Sequence, residues 1–198
     1  DNFDAMMRHF TPPFQGPGMF GQYMVAKFIA EETDVDTVLS GEGSDELFGG
    51  YARTSWAAGE PLPKGYESYQ PPADYPSNLH DALQYDLDRL PDLLAVDDQM
   101  TGAFGIEARA PFTDPRIRDY ALSLPDEERV GKRHLRERVR GIVPDRIIDR
   151  QDKLGFPCPL VLWAQREPVR SFFLDRIGYL PDPSKPFDRS AWYALVDR

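Results

Sequence analysis

The sequence has very few of the side chains that form disulfides and zinc sites. Among its 198 residues there is one cysteine, Cys158, and there are three histidines, His9, His80 and His134. A single cysteine excludes a disulfide within the chain and fits a reducing compartment, so we expect a cytoplasmic protein. The histidines lack the paired spacing of metal ligands, which favours solvent-facing or locally bonded side chains over a zinc site.

Long apolar runs and an excess of positive charge are also missing. No stretch approaches the roughly 20 apolar residues of a membrane helix, and the N-terminal DNFDAMMRHF lacks the basic-then-apolar pattern of a signal peptide. The 33 acidic residues outnumber the 23 lysines and arginines, giving a formal charge of −10. This balance argues against nucleic acid or a membrane as a partner. It does not exclude a nucleotide, because a metal ion can bridge carboxylates to phosphates.

Most of the chain has the apolar periodicity of α-helices. Helices are predicted over residues 19–31, 45–58, 79–96, 115–124, 161–177 and 188–196, with a basic helical region within 131–150. Pro91 is expected to kink or divide the third of these helices. Residues 1–17 contain several prolines and glycines and are predicted to be irregular, and residues 59–78 are predicted to be a mobile loop.

The stretch VLSGEGSDELFGGY, residues 38–51, changes character twice. Its start closes an apolar run over residues 37–39, which predicts a β-strand, and SGEGSD predicts a turn. The apolar residues that follow recur at helical spacing, and Ser44 is placed to cap that helix. A strand, a loop and a helix N-terminus in this order often bind phosphate in parallel α/β folds. The glycines at 49 and 50 predict close approach to a neighbour or ligand, since each costs about 1 kcal/mol relative to alanine in a helix.

Two further charged segments have both an ordinary and a functional interpretation. The arginines and lysines of residues 131–150 are usually explained as a solvated surface, but they could attract a phosphate-bearing ligand toward the loop RQDKLGFPCPL, which contains Lys153. Glu107 and Arg109, in GIEARAPF, are interpreted as a local ion pair.

Three blocks of sequence together carry a resemblance to a known family. They are VLSGEGSDELFGGY at 38–51, LPDLLAVDDQMTGAFGIEARAPFTD at 90–114 and GKRHLRERVRGIVPDRIIDRQDKLGFPCPL at 131–160. In order and character they resemble the C-terminal part of the synthetase domain of glutamine-dependent asparagine synthetases. The resemblance implies an α/β fold of the adenine nucleotide α-hydrolase type. Residues 1–198 would then be a mainly α-helical portion that carries one or two strands of a parallel sheet.

The resemblance also implies a reaction and its participants. In that family a carboxylate attacks the α-phosphorus of ATP to give an acyl-adenylate and pyrophosphate, and ammonia then displaces AMP. The implied partners are Mg²⁺, a small carboxylate such as aspartate, and ammonia released from glutamine by a glutaminase domain. A homodimer is expected for the full-length protein.

Site residues follow from the resemblance position by position. Ser40 and Gly41 look like the loop that contacts ATP, and Asp45 resembles the aspartate that holds Mg²⁺ against pyrophosphate. Glu42 resembles the glutamate that forms and processes the adenylate, either as a base toward ammonia or by holding the substrate. Lys153 resembles the lysine that stabilises charge on the phosphate and the tetrahedral intermediate. On the residues alone, Glu42 and Asp45 could be acids placed at a helix N-terminus and Lys153 an ordinary loop lysine.

The sequence departs from the family pattern in two respects. First, it lacks the SGGxDS phosphate-binding loop and the glutaminase with its nucleophilic cysteine, so we expect the chain not to catalyse the reaction unaided. Second, HFTPPFQGPGMFGQY at residues 9–23 is aromatic and glycine-rich where the family has a different substrate-side sequence, which leaves acceptors other than aspartate open. Two alternatives stay open: a family member that makes another amide, such as a β-lactam or peptide-cyclising synthetase, and a non-catalytic helical interaction module. In the β-lactam branch the position of Glu42 is typically tyrosine, which favours the asparagine type.

Overall fold

The computed structural model describes residues 2–10, 16, 18–152 and 159–178. The described part is mainly helical, with two short 3₁₀ helices at Pro111–Thr113 and Val130–Lys132. The α-helices are α1 (Asn2–His9), α2 (Gly18–Glu32), α3 (Ser44–Leu47), α4 (Ala52–Ala57), α5 (Leu79–Leu87), α6 (Leu90–Gly102), α7 (Pro115–Ser123), α8 (Asp126–Arg129), α9 (Arg133–Arg138), α10 (Asp145–Ile148), α11 (Leu160–Ala164) and α12 (Val169–Gly178). None of the described helices has the length and apolarity needed to cross a lipid bilayer.

Two strands form a parallel pair in the described chain. Strand β1 (Thr37–Leu39) pairs with β2 (Glu107–Arg109), and Val38 lies opposite Ala108. The pairing extends past β1, because the Ser40 amide donates to the Arg109 carbonyl at 2.7 Å. A mainly helical chain with a two-stranded parallel sheet confirms the expected fragment of an α/β domain, and β1 has the predicted bounds.

The division of residues 79–96 into two helices is confirmed. Asn78 caps α5 by accepting a hydrogen bond from the Asp81 amide at 3.0 Å. Pro91 lies in the first turn of α6, where its missing N–H removes no intrahelical hydrogen bond. The proline therefore starts the second helix instead of kinking one long helix.

Helices α1, α2 and α6 pack around one apolar core. The buried side chains of this core are Met6, Phe10, Met19, Tyr23, Val96 and Met100. The prediction that residues 1–17 are irregular is wrong over residues 2–9, which form α1. Phe3, Met6 and Phe10 recur at helical spacing, and Met6 is fully buried, so the burial of this apolar face stabilises a helix that ends before Pro12.

A second apolar cluster lies beneath the loop that follows β1. Its buried members are Leu47, Phe48 and Ala121, and partly buried side chains including Phe112 and Leu135 pack against it. The rings of Phe48 and Phe112 meet edge to face with their centroids 6.2 Å apart. This cluster fixes α3 against α7, so the loop between β1 and α3 is held at both ends.

The predicted helix over residues 45–58 is wrong, because the chain breaks into α3 and α4. Gly49 has a φ of +54°, which a helix cannot contain, and a Cβ there would lie 3.1 Å from Val130 Cα. The close approach that the glycine pair predicted is therefore confirmed. The same close packing interrupts the helix.

Two other predicted helices are also divided. The basic region contains α9 and α10, separated by Gly141 with a φ of +84°, and Ile142 is 82% exposed and does not pack on an apolar face. The predicted helix over residues 161–177 is divided into α11 and α12, with Pro168 just before α12. The helix predicted over residues 188–196 lies outside the described residues.

Candidate functional site

The loop after β1 contains four of the five predicted site residues. We call residues 40–46 the acid loop. The Ser40 hydroxyl accepts a hydrogen bond from the Glu42 amide at 3.2 Å, and the Ser44 amide donates to the Gly41 carbonyl at 3.3 Å. Gly43 turns the chain with a φ of +90°, and a Cβ there would lie 3.3 Å from Phe112 Cβ. These bonds hold the acid loop as a tight corner between β1 and α3.

The prediction that Ser44 caps the following helix is wrong. Gly43 occupies the cap position without a side-chain hydrogen bond, and Ser44 is the first residue of α3, a single turn of four residues. The buried Ser44 hydroxyl instead accepts a hydrogen bond from Lys132 Nζ at 2.7 Å. The acid loop is therefore stabilised by a lysine from a distant part of the sequence.

Asp45 and Lys132 form an ion pair beside the acid loop, which we call the loop ion pair. Lys132 Nζ lies 3.2 Å from Asp45 Oδ1, and the two side chains are 23% and 28% exposed. The backbone of Lys132 is also fixed: its φ is +58°, and its amide donates to the Phe48 carbonyl at 2.8 Å. A left-handed conformation is unfavourable for a lysine, so tertiary contacts hold it there.

Gly50 leaves the space that the loop ion pair fills. A Cβ at Gly50 would overlap Asp45 Oδ1 and Lys132 Cε. The amide of Gly50 donates to the Asp45 carbonyl at 2.9 Å, and the Gly131 amide donates to the Gly49 carbonyl at 2.8 Å. The glycine pair therefore lets the segment before Lys132 approach the acid loop closely.

The pKa of Glu42 is strongly altered by its surroundings. Its pKa is raised from 4.5 to about 7, first by burial and then by the negative charges of Glu46, Asp97 and Asp45, while Lys132 opposes the rise. A carboxylate with a pKa near neutrality can both accept and return a proton at physiological pH. Glu42 therefore has the properties of a general base.

Glu46, the last residue of the acid loop, is a buried acid. It is 1% exposed, and Tyr51 donates its phenolic proton to Glu46 Oε1. Burial, followed by the hydrogen bond to Glu46, raises the pKa of Tyr51, so the phenol stays protonated and remains a donor. Within the described residues Glu46 Oε2 has no hydrogen-bond partner. Among the charges around Glu42, the charge of Glu46 contributes most to the raised pKa of Glu42.

Asp86 lies in a buried polar cluster. Its carboxylate accepts hydrogen bonds from Arg53 Nε at 2.7 Å, the Thr54 hydroxyl at 2.9 Å and the Tyr75 hydroxyl at 3.0 Å. Residues 59–78 contain neither helix nor strand, and Tyr75 attaches this loop to α5 through Asp86. The cluster supports the fold beside the site.

A cleft of about 580 Å³ opens beside the loop ion pair. Asp45 and Lys132 form part of its wall. It is also lined by the basic side chains of Arg136 and Arg150 and by Asp152, where the described segment ends. Lys153, the remaining predicted site residue, follows directly in sequence but lies outside the described residues. The described basic region therefore faces the cleft next to the acid loop.

Glu107 and Arg109 form the local ion pair that the sequence predicts, with Arg109 Nε 2.8 Å from Glu107 Oε1. Both side chains are exposed, so the pair contributes little to stability. His80 is bonded to Asp126 at 2.9 Å, and His134 is bonded to Tyr120. These two histidines are locally bonded, as the sequence predicts.

The acid loop is chemically suited to help bind Mg²⁺. Its carboxylates are the oxygen ligands that this ion prefers, and Mg²⁺ is usually held by one or two carboxylates together with phosphate oxygens. Within the described part of the chain, no group of three or more histidine, cysteine, aspartate or glutamate side chains could hold a metal alone. Asp45 therefore fits a site in which a bound phosphate completes the coordination.

The sequence did not identify Lys132 or Glu46 as part of this site. Lys132 is 88 positions from Ser44, and nothing local singles it out from the neighbouring arginines. Glu46 lies in the first turn of a predicted helix, where an acid is common, so the sequence does not indicate its burial. The available signal was the glycine pair, because its need for a close neighbour implied a second segment packed on the loop.

Comparison with known proteins identifies the family. The family model for asparagine synthase matches residues 1–198. The glutamine-hydrolysing asparagine synthetase of Homo sapiens is 37% identical over 112 residues, covering 57% of this chain and 17% of that protein. The corresponding protein of Bacillus subtilis, asparagine synthetase 1, is 27% identical over 230 residues, covering 80% of this chain and 36% of that protein. The chain thus spans well under half the length of these relatives. Because the family model matches its whole length, the chain belongs to the asparagine synthase family.

Proposed function

We propose that this chain is the C-terminal part of the synthetase domain of an ATP-dependent amide ligase that converts aspartate to asparagine. The observation that carries the proposal is the placement of Glu42, with its pKa of about 7, in the same tight loop as Asp45. A proton acceptor and a metal-binding carboxylate three residues apart meet the two demands of the reaction. Family membership and the names of the relatives support the same reaction.

The proposed reaction has two steps. A carboxylate oxygen of aspartate attacks the α-phosphorus of ATP, and pyrophosphate leaves. Ammonia then adds to the acyl carbon of the adenylate, and AMP leaves as the amide forms. Glu42 accepts the proton that the attacking nitrogen loses, and its pKa suits this transfer at neutral pH.

The other residues of the loop bind and orient the nucleotide. Ser40 and Gly41 lie where β1 ends, and we assign them to contacts with ATP. Asp45 would hold Mg²⁺, which when bound supplies positive charge against the leaving pyrophosphate. Lys132 already pairs with Asp45, and a bound Mg²⁺ would add the further positive charge that phosphates beside this carboxylate require. Lys153 is assigned to stabilising charge on the phosphate and the tetrahedral intermediate.

The remaining participants are proposed from the relatives. Both relatives are named as glutamine-hydrolysing enzymes, so we propose that ammonia comes from glutamine through a glutaminase domain. The phosphate-binding SGGxDS loop would come from another part of the synthetase domain. We propose a cytoplasmic location and a homodimer for the full-length protein.

The test is product formation by the full natural protein that carries this chain. With aspartate, Mg·ATP and ammonia, equal amounts of AMP and asparagine are expected. Glu42→Gln and Lys153→Ala should each reduce both products by about 100-fold or more, since the base and the charge stabiliser are lost. Glu32→Gln, an exposed position at the end of α2, is the matched control and should retain activity. Unchanged product formation in Glu42→Gln would overturn its role as the base.

The same assay separates the alternatives. Amide formation with other carboxylates but not with aspartate would indicate a family member with a different product. Failure of the wild-type protein to bind Mg·ATP or to release AMP would indicate a non-catalytic module.

A further inference from the structure

Lys132 has no assigned role in the proposed chemistry, yet its ammonium group contacts two residues of the acid loop. Its ammonium group donates to the Ser44 hydroxyl at 2.7 Å and lies 3.2 Å from Asp45 Oδ1. Both partners belong to the turn that presents Asp45. One side chain therefore fixes the start of α3 and the orientation of the proposed metal-binding carboxylate together.

The backbone around Lys132 shows that this placement is built into the fold. Lys132 has a φ of +58°, the one positive φ at a non-glycine residue in the described part of the chain. Such a conformation is unfavourable for a residue with a side chain. The Lys132 amide to Phe48 carbonyl bond and the Gly131 amide to Gly49 carbonyl bond, both 2.8 Å long, hold it in place.

The absence of a side chain at Gly50 also leaves room for the side chain of Lys132. A side chain at Gly50 would overlap both Asp45 Oδ1 and Lys132 Cε, so the glycine is needed for the two charged groups to meet. The pair is only partly exposed, which reduces screening of its attraction by water and salt. A lysine on a free surface would require none of these arrangements.

We propose that Lys132 is a positioning residue of the site: it holds Asp45 and Ser44 in the orientation that receives Mg·ATP. This inference rests on the proposed function, because it assumes that Asp45 takes part in nucleotide binding. Lys132 acts through Asp45, and its contribution to nucleotide affinity therefore depends on the carboxylate being present.

A double-mutant cycle tests this dependence in the full natural protein. Isothermal titration calorimetry would measure the Kd of Mg·ATP for wild type, Lys132→Met, Asp45→Asn and the double variant. Methionine keeps most of the apolar stem and removes the charge. We expect Lys132→Met to raise the Kd about tenfold, within the range of coupling between contacting residues. The double variant should bind no more weakly than Asp45→Asn alone. Arg138→Met, whose guanidinium is directed at His134, is the control and should leave the Kd unchanged.

Each outcome has a separate meaning. A wild-type Kd in Lys132→Met, with weakened binding in Asp45→Asn, would overturn the role of Lys132 and leave the proposed function intact. Effects that multiply in the double variant would show that Lys132 acts independently of Asp45, which also overturns the inference. A wild-type Kd in Asp45→Asn, or no binding by the wild-type protein, would overturn the proposed metal site and the inference with it.

Discussion

Replacing Glu42 by glutamine is expected to remove activity and, at the same time, to stabilise the fold. In the folded protein, burial and the surrounding acids raise the pKa of Glu42 to about 7, whereas its ordinary value is 4.5. An ionised Glu42 is therefore less stable in the folded than in the unfolded state. Glutamine has nearly the same shape and no charge, so it removes this cost while leaving the turn intact.

The size and the pH dependence of the effect follow from the pKa. One pKa unit corresponds to about 1.4 kcal/mol, so the rise from 4.5 to about 7 gives an upper bound of about 3 kcal/mol. Glu42 is partly exposed, and solvent screening reduces this to about 1–2 kcal/mol. Below pH 4.5 the carboxyl is neutral in both states and contributes nothing. Between pH 4.5 and 7 only the unfolded state ionises, so the cost grows, and above pH 7 it is fully present.

Thermal unfolding of the wild-type protein and of Glu42→Gln between pH 5 and pH 8.5 measures the difference in Tm. For a cooperative unit of this size, 1–2 kcal/mol corresponds to an increase in Tm of roughly 2–8 °C for Glu42→Gln above pH 7, shrinking toward pH 5. The exposed control Glu32→Gln should show no such trend. A lower Tm for Glu42→Gln at pH 8, or a difference that does not change with pH, would refute the reasoning from burial and charge.

Three further predictions concern the acid loop and the polar cluster around Asp86. The kcat of the natural protein should fall as the pH is lowered through about 7, because protonated Glu42 cannot accept a proton, and a rate that is flat between pH 6 and pH 8 would contradict this. Gly50→Ala should disrupt the loop ion pair, weaken Mg·ATP binding at least tenfold and destabilise the fold by about 1–3 kcal/mol. Gly102→Ala, with open space around it, is the control and should not weaken binding. Asp86→Asn should lower the free energy of unfolding by about 3 kcal/mol, measured by denaturant titration, because it leaves Arg53 without its buried counter-charge.

The sequence predicted the parts of the fold that depend on local pattern. Apolar spacing, proline position and strand length predict three elements that were confirmed: strand β1, the paired helices around Pro91 and the short helix α7. Helix α1 is not predicted, because several prolines and glycines follow it within residues 1–17 and interrupt the helical periodicity. Its stability depends on burying Met6 against α2 and α6, which the local sequence does not reveal.

The site was predictable to a similar extent. The motif located the acid loop, and the glycine pair correctly implied a close neighbour. That neighbour could not be named, because Lys132 reaches Asp45 only after the chain has passed through five further α-helices and a 3₁₀ helix. The raised pKa of Glu42 could not be predicted from the sequence either, since it results from burial and from the distant Asp97 as well as from the nearby acids.

The transfer of oxygen from substrate to nucleotide tests the central claim most directly. The full natural protein would be incubated with aspartate labelled with ¹⁸O in its side-chain carboxylate, together with Mg·ATP and ammonia, and the products would be analysed by mass spectrometry. Attack of the carboxylate on the α-phosphorus predicts one ¹⁸O atom in the phosphate of AMP for each asparagine formed. Unlabelled AMP, or label in inorganic phosphate with ADP as the nucleotide product, would contradict the acyl-adenylate mechanism.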